Sequence, residues 1–182
     1  MRGLLKILLG GFAVFMALSI AQEWEFFSSA WFGEDEVQAA VTDADREAAS
    51  DTVRQMLSLM RHFYSSGGDP RFSERMPVAD GIREEISKDV DYLRRNHRIQ
   101  DPRLMRLEIV SVESAGADLF EVRTREFWQV HFLSAVDGEP SDEPVWQINH
   151  GRYLTRRGNF GWNVESWEMV LGDDEATEAD TP

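Results

Sequence analysis

The apolar residues of this chain change their spacing near residue 100, and this change constrains the fold more than any other feature. Before that point they recur every three to five residues, as in amphipathic helices, over about 34–64 and 80–96. After it they alternate with polar residues, as in strands covered on one face, over about 104–114, 119–135, 145–157 and 160–171. The pattern predicts an α+β domain in which N-terminal helices pack on a curved antiparallel sheet of about four strands.

Turn-forming residues separate these segments. Residues 65–70 read Ser-Ser-Gly-Gly-Asp-Pro and should end the first helix. The pair Asp101-Pro102 predicts the turn from the last helix into the sheet.

The first twenty-one residues indicate export, and we expect them to form one N-terminal hydrophobic helix. Arg2 and Lys6 precede an uncharged, mostly apolar run from Ile7 to Ala21, and acidic and aromatic residues follow it. Positive charge before the run and none just after it predicts that the N-terminus stays inside and the rest of the chain lies outside. In a bacterial chain the outside is the periplasm.

Two interpretations of this segment remain open. Ser19-Ile20-Ala21 would serve as a signal-peptide cleavage site and leave a soluble periplasmic protein that begins at Gln22. Alternatively the segment is retained as a single-pass anchor in the inner membrane, with Lys6 reaching the headgroups. Five aromatic residues would then lie at the outer interface or contact a partner: Trp24, Phe26, Phe27, Trp31 and Phe32.

Composition excludes several classes of function. The chain carries a net charge of −14, so we expect no nucleic-acid partner, because binding phosphates requires an excess of Lys and Arg. It has no cysteine, which excludes disulfides, thiol catalysis and thiolate metal sites. The predicted organisation is a signal-anchor or signal peptide at 1–21, an aromatic juxtamembrane segment at 22–33, the α+β domain at 34–172, and an acidic disordered tail at 173–182.

A register for the sheet follows from its last turn. If Gly158-Asn159 forms a two-residue turn, Thr155 pairs with Trp162, Tyr153 with Val164, Arg152 with Glu165, and His150 with Trp167. Extending the same alternation to the second strand places Trp128 beside His150 and Glu126 beside Arg152. The helices should then cover a face with four cross-strand rows: Phe132–Trp146–Leu171, Val130–Ile148–Met169, Trp128–His150–Trp167 and Glu126–Arg152–Glu165.

Two of these rows supply a candidate pocket. An acid beside an arginine can abstract a proton next to a carbonyl, although such a triplet is more often a structural cross-strand ion pair. A histidine between two tryptophans can act as an acid–base group, although it more often simply packs. The candidate pocket residues are Glu126, Trp128, His150, Arg152, Glu165 and Trp167. No spacing of histidines and acids predicts a metal, and no motif predicts a catalytic residue or a cofactor.

The order of elements carries a family resemblance. Helices lead into a long antiparallel meander whose last strand is Trp162-Asn163-Val164-Glu165-Ser166-Trp167-Glu168-Met169-Val170, entered from Arg156-Arg157-Gly158-Asn159. This arrangement, over about 34–171, resembles the NTF2-like (cystatin-like α+β cone) superfamily, and a helix leading into an exported domain is similar to the VirB8-like plan.

The resemblance implies two classes of function. Superfamily members include VirB8-like periplasmic domains and Tim44-like domains, which act by contacting other proteins, and also ketosteroid isomerase-like enzymes and ligand binders. The enzymes pair an acidic base with a tyrosine, but the predicted register puts Tyr153 on the other face from Glu126. We therefore expect a non-enzymatic accessory or scaffold subunit that contacts other membrane or periplasmic proteins and the membrane. The alternative is a secreted small-ligand-binding protein or a ketosteroid isomerase/dehydratase-like enzyme.

Overall fold

Three helices precede a four-stranded antiparallel sheet in the computed structural model, which describes residues 41–159 and 161–171. The helices are α1 (Asp43–Ser65), α2 (Pro70–Ser73) and α3 (Asp80–Arg95). The strands are β1 (Arg98–Gly116), β2 (Leu119–Ser134), β3 (Val145–Gly158) and β4 (Gly161–Leu171), in the spatial order β1-β2-β3-β4. The predicted α+β class is confirmed.

Several predicted segments fall outside the described residues. They are the N-terminal hydrophobic helix, the aromatic segment at 22–33, and the acidic tail at 173–182. Within the part of the chain that is described, none of the helices has both the length and the apolar character needed to traverse a bilayer.

Helix α1 begins later than the apolar period predicted. The Thr42 hydroxyl accepts a hydrogen bond from the Asp45 backbone N–H at 3.1 Å, and the Asp45 carboxylate accepts one from the Thr42 N–H at 3.3 Å. This reciprocal capping box satisfies two amides that a helix start leaves unpaired, so the helix begins at Asp43. The prediction of one continuous helix from residue 34 is therefore wrong at residues 41 and 42, which precede it.

Strand β1 is longer than predicted, and the prediction of a turn at Asp101-Pro102 is wrong. Asp101 and Pro102 pair with His131 and Val130 of β2, within the strand rather than before it. Among the described strands β1 pairs with β2 alone, so it lies at the edge of the described sheet, where a missing proline N–H is tolerated. The other strand bounds agree with the sequence pattern to within one residue.

The core lies between the helices and one face of the sheet, which we call the covered face. From α1 it includes Val53, Met56 and Leu57, none of them accessible to solvent, and from α3 Ile86 and Val90. The sheet contributes alternate residues of its strands: Phe120, Val122, Trp128, Val130, Tyr153, Val164 and Trp167. Burial of this apolar surface fixes which side of each strand faces the helices.

The segment before α3 protects part of the β4 edge. The Ala79 N–H donates to the Val164 carbonyl at 2.8 Å, and the Val164 N–H donates to the Pro77 carbonyl at 2.9 Å. Pairing of this kind satisfies backbone groups that an uncovered edge would leave open to other chains.

The predicted register of β3 is wrong. Gly158 pairs with Gly161, whereas the prediction had Arg157 close the turn, and a register shift lies between Leu154 and Thr155. Beyond it Tyr153 pairs with Trp167 and Arg152 with Glu168. On the other side, Glu126 pairs with Asn149, not with Arg152.

This error inverts one strand. Relative to β2, β3 is displaced by three positions from the predicted register, so that Trp146 pairs with Gln129 and not with Phe132. Because side chains alternate between faces, this odd displacement moves every side chain of β3 to the opposite face. Arg152, which was expected beside Glu126, pairs with Arg123 instead. Trp146, which was expected in the core, is 52% exposed. We call this second face, which carries Phe127, Trp146, Ile148 and the side chains of their rows, the open face.

Candidate functional site

A carboxylate is buried on the covered face at the centre of the sheet. Glu126 has no accessible surface and accepts three hydrogen bonds, all from side chains of this chain. Thr124 Oγ1 donates at 2.7 Å and Tyr153 Oη at 2.6 Å to one oxygen, and Trp128 Nε1 donates at 2.8 Å to the other. A buried carboxylate is costly unless it is hydrogen-bonded, and these donors supply the bonds.

Strand geometry places these donors. Thr124, Glu126 and Trp128 are two residues apart on β2 and so share a face. Tyr153 comes from β3, where Gly151 stands opposite Thr124. A Cβ at Gly151 would overlap Thr124 Oγ1 and lie 2.7 Å from Glu126 Oε1, so only glycine leaves room for the carboxylate.

The buried cluster perturbs Tyr153 and leaves two neighbours without partners. Burial, together with the adjacent Glu126 charge, raises the pKa of Tyr153 well above its usual value near 10. Asn149 Oδ1 and Trp167 Nε1 are buried and form no hydrogen bond within the described residues. The Trp167 ring lies 6.5 Å from the Tyr153 ring, and Asn149 pairs with Glu126 across the strands, so both unpartnered atoms belong to residues around the cluster.

The structure separates the predicted pocket residues into two groups. Glu126, Trp128 and Trp167 lie together on the covered face, and all three are buried. The other three lie on the open face: His150 is exposed, Arg152 binds Glu121, and Glu165 faces Arg156 with an N–O distance of 3.4 Å. The predicted juxtapositions of Glu126 with Arg152 and of Trp128 with His150 are therefore wrong, as is the separation of Tyr153 from Glu126.

The sequence contained a pattern that could have revealed the buried acid. Glu126 stands in the middle of an otherwise apolar or small alternation on β2, with Val122 and Thr124 before it and Trp128 and Val130 after it. A polar position inside an apolar stripe predicts a buried, hydrogen-bonded group. Gly151 in a strand interior predicts a close approach of neighbouring atoms.

Two arginines share one carboxylate on the open face. Arg152 Nε donates to Glu121 at 2.7 Å, and Arg123 Nε donates to its other oxygen at 2.7 Å. Burial would raise the pKa of Glu121, but the hydrogen bonds from Arg152 and Arg123 outweigh it and lower that pKa. This pairing ties β2 to β3 without a catalytic geometry.

The rest of the open face is aromatic and basic. The guanidinium carbons of Arg106 and Arg125 lie 5.3 and 4.9 Å from the centre of the Phe127 ring. Ile148 pairs with Phe127, and Trp146 pairs with Gln129 on the next row. Trp146 and Arg106 are exposed in this patch, and Phe127, Ile148 and Arg125 are half-buried.

Two further features lie away from the sheet centre. An open groove of about 490 Å³ runs between α1 and β1, lined by Arg46, Ser50, Arg54 and Val110 among others. Between α1 and α3, Tyr64 Oη donates to Asp89 at 3.3 Å, and burial raises the pKa of Asp89 to about 6. Within 41–159 and 161–171, no three acidic or histidine side chains are grouped as metal ligands would be.

Comparison with known proteins identifies the fold only. No protein-family model and no curated protein matches the sequence. The intermembrane-space region of the chloroplast protein ARC6 aligns with a TM-score of 0.60 and 12% identity, over 69% of this chain and 96% of that one. A domain of unknown function with a cystatin-like fold, from Nostoc punctiforme, aligns with a TM-score of 0.41 and 16% identity, over 76% and 83%. The chain shares the fold of the ARC6 region, and a VirB8-like or Tim44-like relationship stays a prediction.

Proposed function

We propose that this protein is a membrane-associated accessory or scaffold subunit whose folded domain faces the periplasm and binds another protein through its open face. The observation that carries the proposal is the open face itself. It presents Trp146, Phe127 and Ile148 beside arginines, whereas the helices pack on the covered face.

Residue types support a protein partner. Tryptophan, tyrosine and arginine dominate the energetically important centres of protein interfaces. Trp146 is half exposed, and single exposed apolar residues are common. Here, however, it lies on the row next to Phe127, whose ring contacts the guanidinium groups of Arg106 and Arg125. The charged residues around this centre would form the polar rim of an interface.

A non-enzymatic role is supported by the buried acid cluster. Both oxygens of Glu126 are engaged by donors of the chain itself, and the rings of Trp128, Tyr153 and Trp167 pack around it. An acid poised for proton transfer must reach a substrate proton, within about 2.6–3.2 Å or through one water. Glu126 instead stabilises the join between β2 and β3.

The location rests on the sequence of the first 33 residues, with fold similarity as support. Arg2 and Lys6 before the apolar run favour export of the domain. The ARC6 region, which shares the fold, is named as the intermembrane-space region of a chloroplast protein. We propose that residues 22–33, with Trp24, Phe26, Phe27, Trp31 and Phe32, add a second contact with the membrane or the partner.

The test replaces the centre of the open face and a matched exposed site. One variant of the full chain carries Trp146→Ala and Arg106→Ala, and the control carries Tyr92→Ala and Arg94→Ala on α3. The arginine pairs are matched because the side chains of Arg106 and Arg94 are 62% and 60% exposed. Trp146 and Tyr92 are 52% and 51% exposed.

We expect the control to keep the size of the native complex, measured by light scattering after mild solubilisation, and the open-face variant to lose it. A photoreactive residue in place of Trp146 should give a single discrete adduct, and one in place of Tyr92 should give none. A native complex unchanged by the open-face substitutions would exclude this face as the interface.

A further inference from the structure

Arg125 lies at the centre of the open face, and it forms no ion pair with any carboxylate of the described residues. Its Nε atom is buried and has no hydrogen-bond partner there. Glu108, which lies opposite it on β1, forms an ion pair with Arg106 instead, and the residue opposite it on β3 is the exposed His150. A half-buried guanidinium with an unused N–H donor can bind a carboxylate strongly.

The ring of Phe127 orients this guanidinium group. The guanidinium carbon of Arg125 lies 4.9 Å from the centre of the ring, and that of Arg106 lies 5.3 Å from it. Cation–π contacts of this kind restrict a long side chain. Binding therefore costs less conformational entropy than it would for a freely rotating arginine.

Apolar side chains follow Arg125 along the strands on the same face. The row next to it pairs Phe127 with Ile148, and the row after that pairs Gln129 with Trp146. Successive rows on one face are two residues apart, or about 7 Å, so the Trp146 row lies about 13 Å from the Arg125 row. An extended peptide has the same spacing. A segment with an acid at one position and apolar residues two and four positions along therefore matches these rows.

The charge of these three rows favours an acidic protein segment. Across β1, β2 and β3 they hold Arg103, Arg106 and Arg125 but one carboxylate, Glu108, although the whole chain has a net charge of −14. A second copy bound through the same face would bring arginines against arginines. An anionic lipid surface would repel the acidic chain as a whole.

We propose that the open face binds an extended segment of its partner that combines an acid with apolar residues. A carboxylate of the segment pairs with Arg125, and apolar side chains two and four positions along pack on Phe127 and Trp146. The inference rests on the proposed function, because it names what the partner presents to the same face.

The probe is a synthetic peptide, acetyl-Ser-Glu-Ser-Leu-Ser-Leu-Ser-amide, which has an acid and two apolar side chains at this spacing. It is titrated onto the full chain in nanodiscs of uncharged lipid. Heteronuclear NMR follows the Nε–H of Arg125 and the indole N–H of Trp146, with the indoles of Trp128 and Trp167 as references because they are buried on the covered face. We expect the two open-face signals to shift along one saturating curve and the two reference signals to stay in place.

Matched changes in the peptide and in the protein isolate the ion pair. Glutamine in place of the peptide glutamate should raise Kd about tenfold or more, the effect of losing a hydrogen bond between charged groups. Arg125→Gln should weaken the acidic peptide by the same factor and abolish the difference between the two peptides, whereas Arg125→Lys should keep part of that difference. Arg94→Gln, which removes an exposed charge from α3, should change neither Kd. Unshifted Trp128 and Trp167 signals verify that each variant is folded.

Three results would overturn the inference: equal Kd values for the two peptides, an equal effect of Arg94→Gln, or equally tight binding of a peptide whose leucines are replaced by serine. Signals that ignore the peptides while phosphatidylglycerol vesicles broaden Trp146 would assign the face to the membrane instead. A dimer of this chain that Trp146→Ala dissociates would assign it to a second copy.

The two proposals fail separately. If the open-face variant loses the native complex but the peptides bind equally, the interface stands and the acidic segment is excluded. If the acidic peptide binds selectively but the native complex survives the open-face substitutions, Arg125 binds carboxylates and the proposed role of the face in the complex is excluded.

Discussion

At the scale of single residues, the most consequential group is the Tyr153 hydroxyl, which donates to the buried Glu126 carboxylate. Tyr153→Phe should lower the free energy of unfolding by about 1–3 kcal/mol, because a buried acceptor then loses one of its three donors. Urea denaturation followed by circular dichroism measures the difference. The control Tyr92→Phe removes the same hydroxyl from an exposed ring and should cost less than about 0.5 kcal/mol. Equal losses would mean that the Tyr153 bond contributes nothing.

The raised pKa of Asp89 predicts a pH-dependent stability. Its folded-state pKa of about 6 exceeds the value near 3.9 in an unfolded chain, so the folded carboxyl holds its proton more tightly. The contribution of Asp89 is therefore fully present below about pH 4 and is lost as the pH rises through about 6. Asp89→Asn should stabilise the protein by about 1 kcal/mol at pH 8, a value reduced for partial solvation, and by almost nothing at pH 4.

The matched control for Asp89 is Asp91→Asn on the same helix. Asp91 is well exposed and lies 3.5 Å from Arg94, so its neutralisation should change stability little at either pH. Urea midpoints at pH 4 and pH 8 give the comparison. A stabilisation by Asp89→Asn that is the same at both pH values would contradict the assignment of the shift to this carboxyl.

At the scale of elements, β3 depends on a glycine. Gly151→Ala should destabilise the protein by about 1–3 kcal/mol or more, because the added Cβ overlaps Thr124 and approaches Tyr153 and Glu126, which are fixed by their own hydrogen bonds. Gly81→Ala is the matched substitution, since a Cβ there meets nothing within 4 Å and α3 should gain about 0.5–1 kcal/mol. Thermal unfolding of both variants tests the prediction, and a harmless Gly151→Ala would show that β2 and β3 can separate freely.

The elements themselves were predictable from the sequence, but their alignment was not. Periodicity and turn residues are local, so the bounds of α3, β2, β3 and β4 were obtained to within one residue. Register depends on the pairing of Gly158 with Gly161 and on the shift between Leu154 and Thr155, and the alternation of apolar residues in β3 indicates neither of them. That strand reads as amphipathic on both faces, with Trp146 and Ile148 on one and Tyr153 on the other, so its hydrophobicity did not select a face.

The candidate site inherited this ambiguity. The β2 half of the site, Glu126 and Trp128, was predicted on the covered face, where the structure has it. The β3 half was predicted on the wrong face. His150 and Arg152 were expected near the acid, whereas Tyr153 and Gly151 lie there in the structure. The glycine inside β3 was the better indication of which β3 residues face the acid. Gly151 lets neighbouring atoms approach more closely than any other residue would at that position.

At the scale of the whole molecule, the described residues form a continuous core of their own between the helices and the sheet. Every member of the core cluster lies between Ala49 and Trp167. We therefore expect a chain that lacks residues 1–40 to unfold cooperatively, with a urea midpoint close to that of the full chain. It should also leave the membrane fraction, because an acidic domain is repelled by anionic lipid surfaces and has no other proposed anchor.

Membrane association of the full chain should be equally lost when two charges interrupt its apolar run. Leu9→Asp with Phe12→Asp keeps the length of the chain and makes insertion of the segment costly by several kcal/mol. Carbonate extraction of native membranes separates inserted from released protein, and the intact mass of the inserted form distinguishes an uncleaved anchor from a product that begins at Gln22. If the chain that lacks residues 1–40 stayed in the membrane fraction, attachment would have to run through the folded domain, and the open face would be the first surface to test for it.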